Sequence, residues 1–305
     1  MSDPGAQAIA VVGSVAFDTI ETPIGRAEDV LGGSATYFAL AASYFAPVHL
    51  VAVVGEDFPA SDREYLGIRG IDLSGLEVRP GRTFRWTGRY HEDLNVRDTL
   101  SLELNVFADF RPTLSETIRK APVVYLGNIQ PDLQEAVLEQ FDDPTLVACD
   151  TMNHWIESAR EPLEALLPRV DLLVMNDEEA RLLSRESNIS RAARRILELG
   201  PRSVLVKRGE YGAILFSPES VFAVPAYPLE EVYDPTGAGD AFAGGVVGYL
   251  AATGERSDAG LRRAIVFGTV LASFVVEDFG PERLRTLTRD DIDRRYRQFV
   301  ALTEF

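Results

Sequence analysis

Short runs of apolar, often β-branched residues recur along the chain, and segments with helical periodicity lie between them. Continuous apolar runs of this length are typical of strands buried on both faces of a parallel sheet. Regular alternation of strand and helix indicates crossover βαβ units. The pattern therefore predicts an α/β fold with a doubly wound, mainly parallel sheet flanked by helices. The predicted strands are Ile9–Val12, Leu50–Val54, Val123–Leu126, Leu146–Ala148, Leu172–Met175 and Val204–Val206.

Two regions depart from this pattern. Residues Thr83–Tyr90 and Thr99–Leu104 alternate between apolar and polar positions on either side of the polar stretch His91–Asp98, which predicts an antiparallel hairpin with one covered face. A second strand pair is expected near Ser14–Pro23. The two pairs predict a small antiparallel sheet, which is either an ordinary edge structure or a lid over a cleft at the strand ends. The predicted lid comprises about residues 14–31 and 83–106 of a single domain, 1–305.

The composition, with 46% apolar and 25% charged residues, is that of a globular protein. Its formal net charge of −17 disfavours nucleic acid and anionic membrane surfaces as partners. The single cysteine, Cys149, excludes an intrachain disulfide and a cysteine metal cluster. No apolar run approaches the roughly 20 residues that span a bilayer, and the N-terminus lacks the features of a signal peptide. We expect a cytoplasmic protein that binds neither nucleic acid nor membranes.

The segment Asp234–Asp240, DPTGAGD, precedes a helical pattern of small residues that begins at Ala238. Gly237, Ala238 and Gly239 therefore fall at a helix N-terminus, where free amides and the helix dipole favour an anion such as phosphate. Asp240 is either a capping residue or a base that accepts a proton from an attacking hydroxyl. The P-loop motif and the GxGxxG fingerprint are absent, which argues against a P-loop protein and a dinucleotide-dependent dehydrogenase.

Residues 234–245, DPTGAGDAFAGG, resemble the C-terminal signature, DTxGAGD, of the ribokinase-like (PfkB) carbohydrate kinase family. Gly32-Gly33 resembles the N-terminal di-glycine of the family, Asn176–Glu179 its NxxE motif, and Lys207–Gly212 its KxGxxG stretch. The motifs occur in the family's order over residues 9–280. The resemblance implies a ribokinase-like fold with a small β lid, and a kinase that uses ATP and Mg²⁺ to phosphorylate a hydroxyl group.

The resemblance also implies roles for individual residues. Asp240 is the expected catalytic base, and the amides of Gly237, Ala238 and Gly239 form the expected anion hole. Asn105, which follows the predicted lid strands, is a further pocket candidate. The remaining implied roles are acceptor binding by Asp18, Gly33 and Tyr37; nucleotide binding by Asn176, Lys207 and Gly209; water-mediated magnesium binding by Glu179; and binding of potassium, a further candidate cation, by Asp234 and Thr236.

Tyr37 departs from the family pattern, in which sugar kinases usually carry Asn at this position. A bulky aromatic side chain with one hydroxyl disfavours a ribose- or fructose-like contact. It favours a cyclic polyol, a nucleoside or another acceptor with an apolar face, unless Tyr37 only packs against the lid. The predicted function is an ATP-dependent kinase for a small sugar or polyol. The alternatives are a nucleoside kinase, a catalytically silent ligand-binding or regulatory protein, and, less favoured, a phosphosugar kinase; a homodimer is also an option, since lid-to-lid dimers occur in the family.

Overall fold

The computed structural model describes residues 5–304. Thirteen strands are found among these residues. In chain order they are β1 (Ile9–Val12), β2 (Ala16–Thr22), β3 (Gly25–Gly32), β4 (Val48–Gly55), β5 (Ile71–Arg79), β6 (Phe84–Tyr90), β7 (Arg97–Glu103), β8 (Val123–Leu126), β9 (Leu146–Asp150), β10 (Leu172–Asn176), β11 (Ser203–Lys207), β12 (Ala213–Phe216) and β13 (Val221–Val224).

Twelve α-helices alternate with or follow these strands within the same residues. They are α1 (Ser34–Ala42), α2 (Ala60–Ile68), α3 (Glu116–Arg119), α4 (Pro131–Leu138), α5 (Asn153–Ser158), α6 (Arg160–Leu166), α7 (Asp177–Ser184), α8 (Ile189–Leu197), α9 (Ala238–Thr253), α10 (Asp258–Val275), α11 (Glu282–Thr286) and α12 (Arg289–Thr303).

Nine strands form the main sheet in the order β13-β12-β11-β10-β9-β8-β1-β4-β5. From β11 to β5 every neighbouring pair is parallel, and β12 and β13 add an antiparallel edge. The strand order reverses beside β1, so this sheet is doubly wound. All six strands predicted from apolar runs lie in it, which confirms the predicted α/β class.

Buried side chains fill both faces of the main sheet, because successive residues of a strand point to opposite sides. Val11 belongs to the core beneath α1, α9 and α10, whereas Val12 belongs to the core beneath α4, α6, α7 and α8. Full burial on both faces explains why the sequences of these strands are continuous apolar runs. No helix among residues 5–304 is long and apolar enough to cross a membrane.

Four strands form a second, smaller sheet in the order β3-β2-β6-β7, here called the lid sheet. The hairpins β2–β3 and β6–β7 are antiparallel, as predicted. They meet through β2 and β6, which pair in parallel, with Asp18 opposite Trp86. The predicted segments 14–31 and 83–106 contain these strands except for the last residue of β3.

Candidate active site

The turn before α9 brings the main chain of Gly237 against the ring of Tyr37. Gly237 has a φ of 75°, and a Cβ at this position would lie 2.3 Å from the Tyr37 ring. Glycine is therefore required both by the left-handed backbone and by the close contact. Of the amides at this helix N-terminus, that of Ala238 donates to the carbonyl oxygen of Pro235 at 3.2 Å. The amides of Gly237 and Gly239 are the remaining predicted hydrogen-bond donors to an anion.

Asp240 lies in the first turn of α9 and is partly exposed. Loss of hydration and the nearby Asp150 carboxylate raise the pKa of Asp240 to about 7, while the positive charges of Lys207 and Arg97 oppose the rise. A carboxylate with a pKa near neutrality is suited to general base catalysis, because it is ionised at the operating pH and still accepts a proton. The role of Asp240 as the catalytic base stays a prediction.

The turn before α9, residues 234–239, is called the anion turn below. Lys207 ends β11 and places its ammonium group beside this turn. Its Nζ lies 3.2 Å from the position that a Cβ on residue 239 would take. The same Nζ donates to Asp150 Oδ2 at 2.7 Å, and the Tyr125 hydroxyl donates to that oxygen at 3.2 Å. The carboxylates of Asp150 and Glu179 outweigh the effect of burial and raise the pKa of Lys207. The nucleotide-binding role predicted for Lys207 stays a prediction.

Asn176 and Glu179 form a capping box at the start of α7. The Asn176 amide hydrogen and side-chain Nδ2 donate to the two carboxylate oxygens of Glu179 at 2.7 and 2.8 Å, and Asn176 Oδ1 accepts from the Glu179 amide at 2.8 Å. Burial raises the pKa of Glu179 to about 7 against the opposing charge of Lys207. The predicted nucleotide and magnesium roles of the pair stay predictions.

Asp18 faces the anion turn from β2 of the lid sheet. The residue is 4% exposed, and its carboxylate accepts a hydrogen bond from the Gly33 amide. Burial and the charges of Asp234 and Asp240 raise the pKa of Asp18 to about 7. Two of the predicted acceptor-binding residues, Asp18 and Gly33, are therefore in direct contact, and Asp18 is close enough to Asp240 for their charges to interact.

Tyr37 is 1% exposed, and its hydroxyl has no hydrogen-bond partner among the described residues. Burial and the charge of Asp234 raise its pKa well above the ordinary value. The ring packs against the main chain of Gly237 and offers no open contact surface. Acceptor binding by Tyr37 stays a prediction.

Asp234 and Thr236 connect the anion turn to Gly280 and to the lid sheet through hydrogen bonds. Asp234 is fully buried; its Oδ1 accepts from the Thr236 amide at 2.8 Å and its Oδ2 accepts from the Gly280 amide at 3.0 Å. Thr236 Oγ1 donates to the Tyr90 hydroxyl of the lid sheet at 3.0 Å. Both carboxylate oxygens of Asp234 thus already accept backbone amides, and potassium binding here stays a prediction.

The tip of the hairpin β6–β7 lies against Gly209, two residues after the end of β11. Asn95, in its connecting loop, approaches Gly209 so closely that a Cβ on residue 209 would lie 2.0 Å from Asn95 Oδ1. The base of the hairpin is held by Asn105, whose Nδ2 donates to the Thr83 carbonyl oxygen at 2.9 Å. The structure therefore places Asn105 at the foot of the lid sheet and Gly209 under its tip. Their predicted ligand contacts stay predictions.

Arg97 and Asp150 are two charged residues of this cleft that the sequence analysis missed. Arg97 begins β7, hydrogen-bonds to the Tyr90 hydroxyl, and adds positive charge near Asp240 and Glu179. Arg97 belongs to the polar stretch His91–Asp98, whose pattern predicts only the connection of a hairpin. Asp150 ends a buried apolar strand, which is a usual position for a functional side chain in a parallel sheet; that signal was present in the sequence.

Acidic groups outnumber basic groups in the cleft, and no cluster of three or more metal-ligating side chains occurs among the described residues. A polyphosphate therefore fits this site when its own charge is neutralised by a divalent cation, which keeps part of its water shell. The acidic side chains are Asp18, Asp150, Glu179, Asp234 and Asp240, and the basic ones are Arg97 and Lys207.

The amino-acid sequence is similar to those of known proteins. The model of the pfkB family carbohydrate kinase matches residues 6–286. A cytidine kinase of Thermococcus kodakarensis is 32% identical over 249 residues, which cover 79% of this chain and 88% of that protein. A nucleoside kinase of Methanothermobacter thermautotrophicus is 29% identical over 291 residues, covering 89% and 90%.

Solved structures show the same fold. The crystal structure of Methanocaldococcus jannaschii nucleoside kinase, an archaeal member of the ribokinase family, matches with a TM-score of 0.76 at 22% identity. The match covers 96% of this chain and 99% of that chain. The predicted ribokinase-like arrangement, a large sheet flanked by helices with a smaller sheet beside it, is thereby confirmed.

Proposed function

The chain belongs to the pfkB family of carbohydrate kinases, and we propose that it transfers the terminal phosphate of ATP to a hydroxyl of a nucleoside. The resemblance in the sequence is thus confirmed, and the protein is a phosphotransferase with an alcohol group as acceptor, a sugar or nucleoside kinase of the PfkB type. The choice of a nucleoside over a simple sugar or polyol is supported by the two relatives named as cytidine kinase and nucleoside kinase.

One observation carries the proposed chemistry: Asp18 of the lid sheet and Asp240 in the first turn of α9 lie close enough together for the charge of Asp240 to raise the pKa of Asp18. In the proposed reaction, Asp18 accepts a hydrogen bond from one hydroxyl of the acceptor and thereby orients it. Asp240 accepts the proton of the attacking hydroxyl. The oxygen then forms its bond to the terminal phosphorus while the bond to the bridging oxygen breaks, which leaves ADP.

Further groups of the cleft support the proposal. The amides of Gly237 and Gly239, the ammonium of Lys207 and the guanidinium of Arg97 would oppose its negative charge. Glu179, through water, would help to hold a magnesium ion, which supplies neutralisation of the nucleotide phosphates. These groups lie on four different parts of the chain, so only the folded protein assembles them.

The proposed function is tested by acceptor-dependent ADP release from Mg·ATP with cytidine, other nucleosides, ribose, fructose, inositols and fructose 6-phosphate. We expect turnover with nucleosides, and a loss of about 10³-fold or more in kcat for Asp240→Asn, because the amide does not accept the proton. Turnover restricted to sugars or polyols would overturn the nucleoside assignment and leave the kinase. ATP binding without turnover of any acceptor would instead favour a silent ligand-binding protein.

A further inference from the structure

Trp86 lies on the cleft side of the lid sheet. It pairs in register with Asp18 on the neighbouring strand, and residues in register on adjacent strands point to the same face of a sheet. Tyr90, four residues further along β6 and therefore on the same face, accepts a hydrogen bond from Thr236 Oγ1 at 3.0 Å, so this face of the lid sheet borders the cleft. The indole of Trp86 therefore borders the position of the acceptor.

The ring of Trp86 is held in one orientation. Its Nε1 donates to Thr99 Oγ1 across the hairpin at 3.2 Å. A Cβ on residue 88 would lie 2.1 Å from Trp86 Cη2 and 2.2 Å from Cζ2, so the ring packs onto the main chain of Gly88. Any larger residue at position 88 would displace the ring. A side chain fixed in this way binds a ligand at a low cost in conformational entropy.

The Trp86 side chain is not part of the buried core, since it remains partly exposed. The guanidinium carbon of Arg97 lies 5.7 Å from the ring centroid, and Arg97 in turn is near Asp240. The ring thus has backbone on one side and adjoins the charged cleft. Its one polar atom is already bonded to Thr99, so a ligand that stacks on the ring meets a flat apolar surface and, beside it, the Arg97 guanidinium that lies over the ring.

A flat apolar surface beside acceptor-binding carboxylates fits a ligand with a polar, hydroxyl-bearing part and a planar part. We propose that Trp86, held against Gly88, is the platform on which the base of the nucleoside stacks. This inference rests on the nucleoside acceptor proposed above. Stacking of a base on an aromatic side chain contributes about 1–3 kcal/mol and discriminates little between bases. The platform therefore accepts both pyrimidine and purine nucleosides.

The experiment compares kcat and KM for cytidine, adenosine and methyl riboside, which lacks a base, in the wild type and in Trp86→Leu and Trp86→Phe. For Trp86→Leu we expect the KM of both nucleosides to rise about 10-fold or more, with the constants for methyl riboside changed by less than about threefold. Trp86→Phe keeps an aromatic face and is expected to recover most of the nucleoside affinity. Gly88→Ala, which displaces the ring, is expected to follow Trp86→Leu.

A second measurement does not depend on turnover. The chain contains two tryptophans, so in Trp155→Phe the remaining indole fluorescence comes from Trp86. Nucleosides are expected to quench this fluorescence in a saturable way, and methyl riboside is not.

The outcomes separate the platform from the proposed function. Wild-type turnover of nucleosides together with equal losses for nucleosides and methyl riboside in Trp86→Leu would overturn the platform and leave the nucleoside kinase. A wild type that phosphorylates sugars alone would overturn the proposed function. Absence of nucleoside quenching in Trp155→Phe, under conditions in which nucleosides are turned over, would also overturn the platform.

Discussion

At the scale of single residues, the ionisation of Asp240 is the feature that links the structure to a measurable rate. Because its pKa is raised to about 7, the base is progressively protonated below neutral pH. We expect kcat/KM for the nucleoside to fall about tenfold per pH unit below about pH 7. The measurement is a profile of kcat/KM from pH 5.5 to 8.5.

The pH profile of the Arg97→Ala variant is the control for this assignment. Arg97 lowers the pKa of Asp240, so Arg97→Ala is expected to move the acidic limb to higher pH. A profile that is flat down to pH 5.5, or one that does not move in Arg97→Ala, would contradict the assignment of this limb to Asp240.

The hydroxyl of Tyr37 gives a prediction for stability. It is buried without a hydrogen-bond partner among the described residues, and such a group costs about 1–3 kcal/mol. Tyr37→Phe removes it and keeps the ring against Gly237, so we expect the free energy of unfolding to rise by about 1 kcal/mol with kcat retained. Urea denaturation checks the first part and an ADP-release assay the second. A loss of stability would show that the hydroxyl is hydrogen-bonded in solution.

At the scale of secondary-structure elements, α9 presents the anion turn only because its first residue is preceded by glycine. Gly237→Ala places a methyl group against the Tyr37 ring in a backbone conformation that alanine avoids. We expect kcat to fall by about 10²-fold or more, because the amide donors shift.

Gly254, after the last residue of the same helix, is the matched control for Gly237. It also has a positive φ, 66°, but nothing lies within 4 Å of the position that a Cβ would take there. Gly254→Ala should therefore cost about 1 kcal/mol of stability and leave kcat unchanged. Similar losses of kcat in both variants would mean that the turn acts only through the stability of α9.

The lid sheet contributes a positively charged side chain to the cleft. Arg97 reaches the cleft from β7, whereas Arg89 of β6 bonds to Glu21 at 2.7 Å on the exposed side. We expect Arg97→Ala to lower kcat by about 10²-fold, because it removes one stabilising charge from the phosphate, and Arg89→Ala to change it by less than about threefold. Steady-state kinetics with saturating Mg·ATP distinguishes the two; equal effects would contradict a role for Arg97 in the cleft.

At the scale of the whole molecule, the acidic cleft makes stability depend on pH. The pKa values of Asp18, Glu179 and Asp240 are raised to about 7 in the folded protein, above those of the unfolded chain. Between about pH 4 and 7 the folded state therefore binds more protons than the unfolded state. The contribution of these groups to the free energy of unfolding is greatest below about pH 4 and declines as pH rises to about 7.

Asp18→Asn isolates one of these contributions. Because the amide does not ionise, we expect the variant to gain stability relative to the wild type as pH rises from 5 to 8. Urea denaturation at several pH values in that range measures the difference. A constant difference across the range would show that Asp18 ionises with an ordinary pKa in the folded protein.

The outer edge of the lid sheet is formed by β7. Leu100 and Leu102 in this strand, and Leu104 directly after it, are substantially exposed. The homodimer expected from the family resemblance stays a prediction, and sedimentation equilibrium of the wild type and Leu102→Glu tests it: a monomeric wild type would contradict it.

Local patterns in the amino-acid sequence were sufficient to predict the class of fold and the glycine turn at the start of α9. Apolar runs such as Ile9–Val12 predict strands because burial on both faces leaves no polar positions. The turn at Gly237 is equally local, since its glycine and the helix that follows are adjacent in the chain. The family motifs then supplied the kinase reaction and the expectation for Asp240.

The contacts among the groups of the cleft, and the presence of Arg97 and Asp150 there, in contrast, became known only from the folded arrangement. Lys207 meets Asp150 from a strand 57 residues away, Tyr37 contacts a turn 200 positions later in the chain, and Arg97 and Trp86 reach the site from the lid sheet. The pKa values near 7 follow from burial and from these charges together. Contacts between distant segments depend on sheet order and register, and local propensity and periodicity carry no information about either.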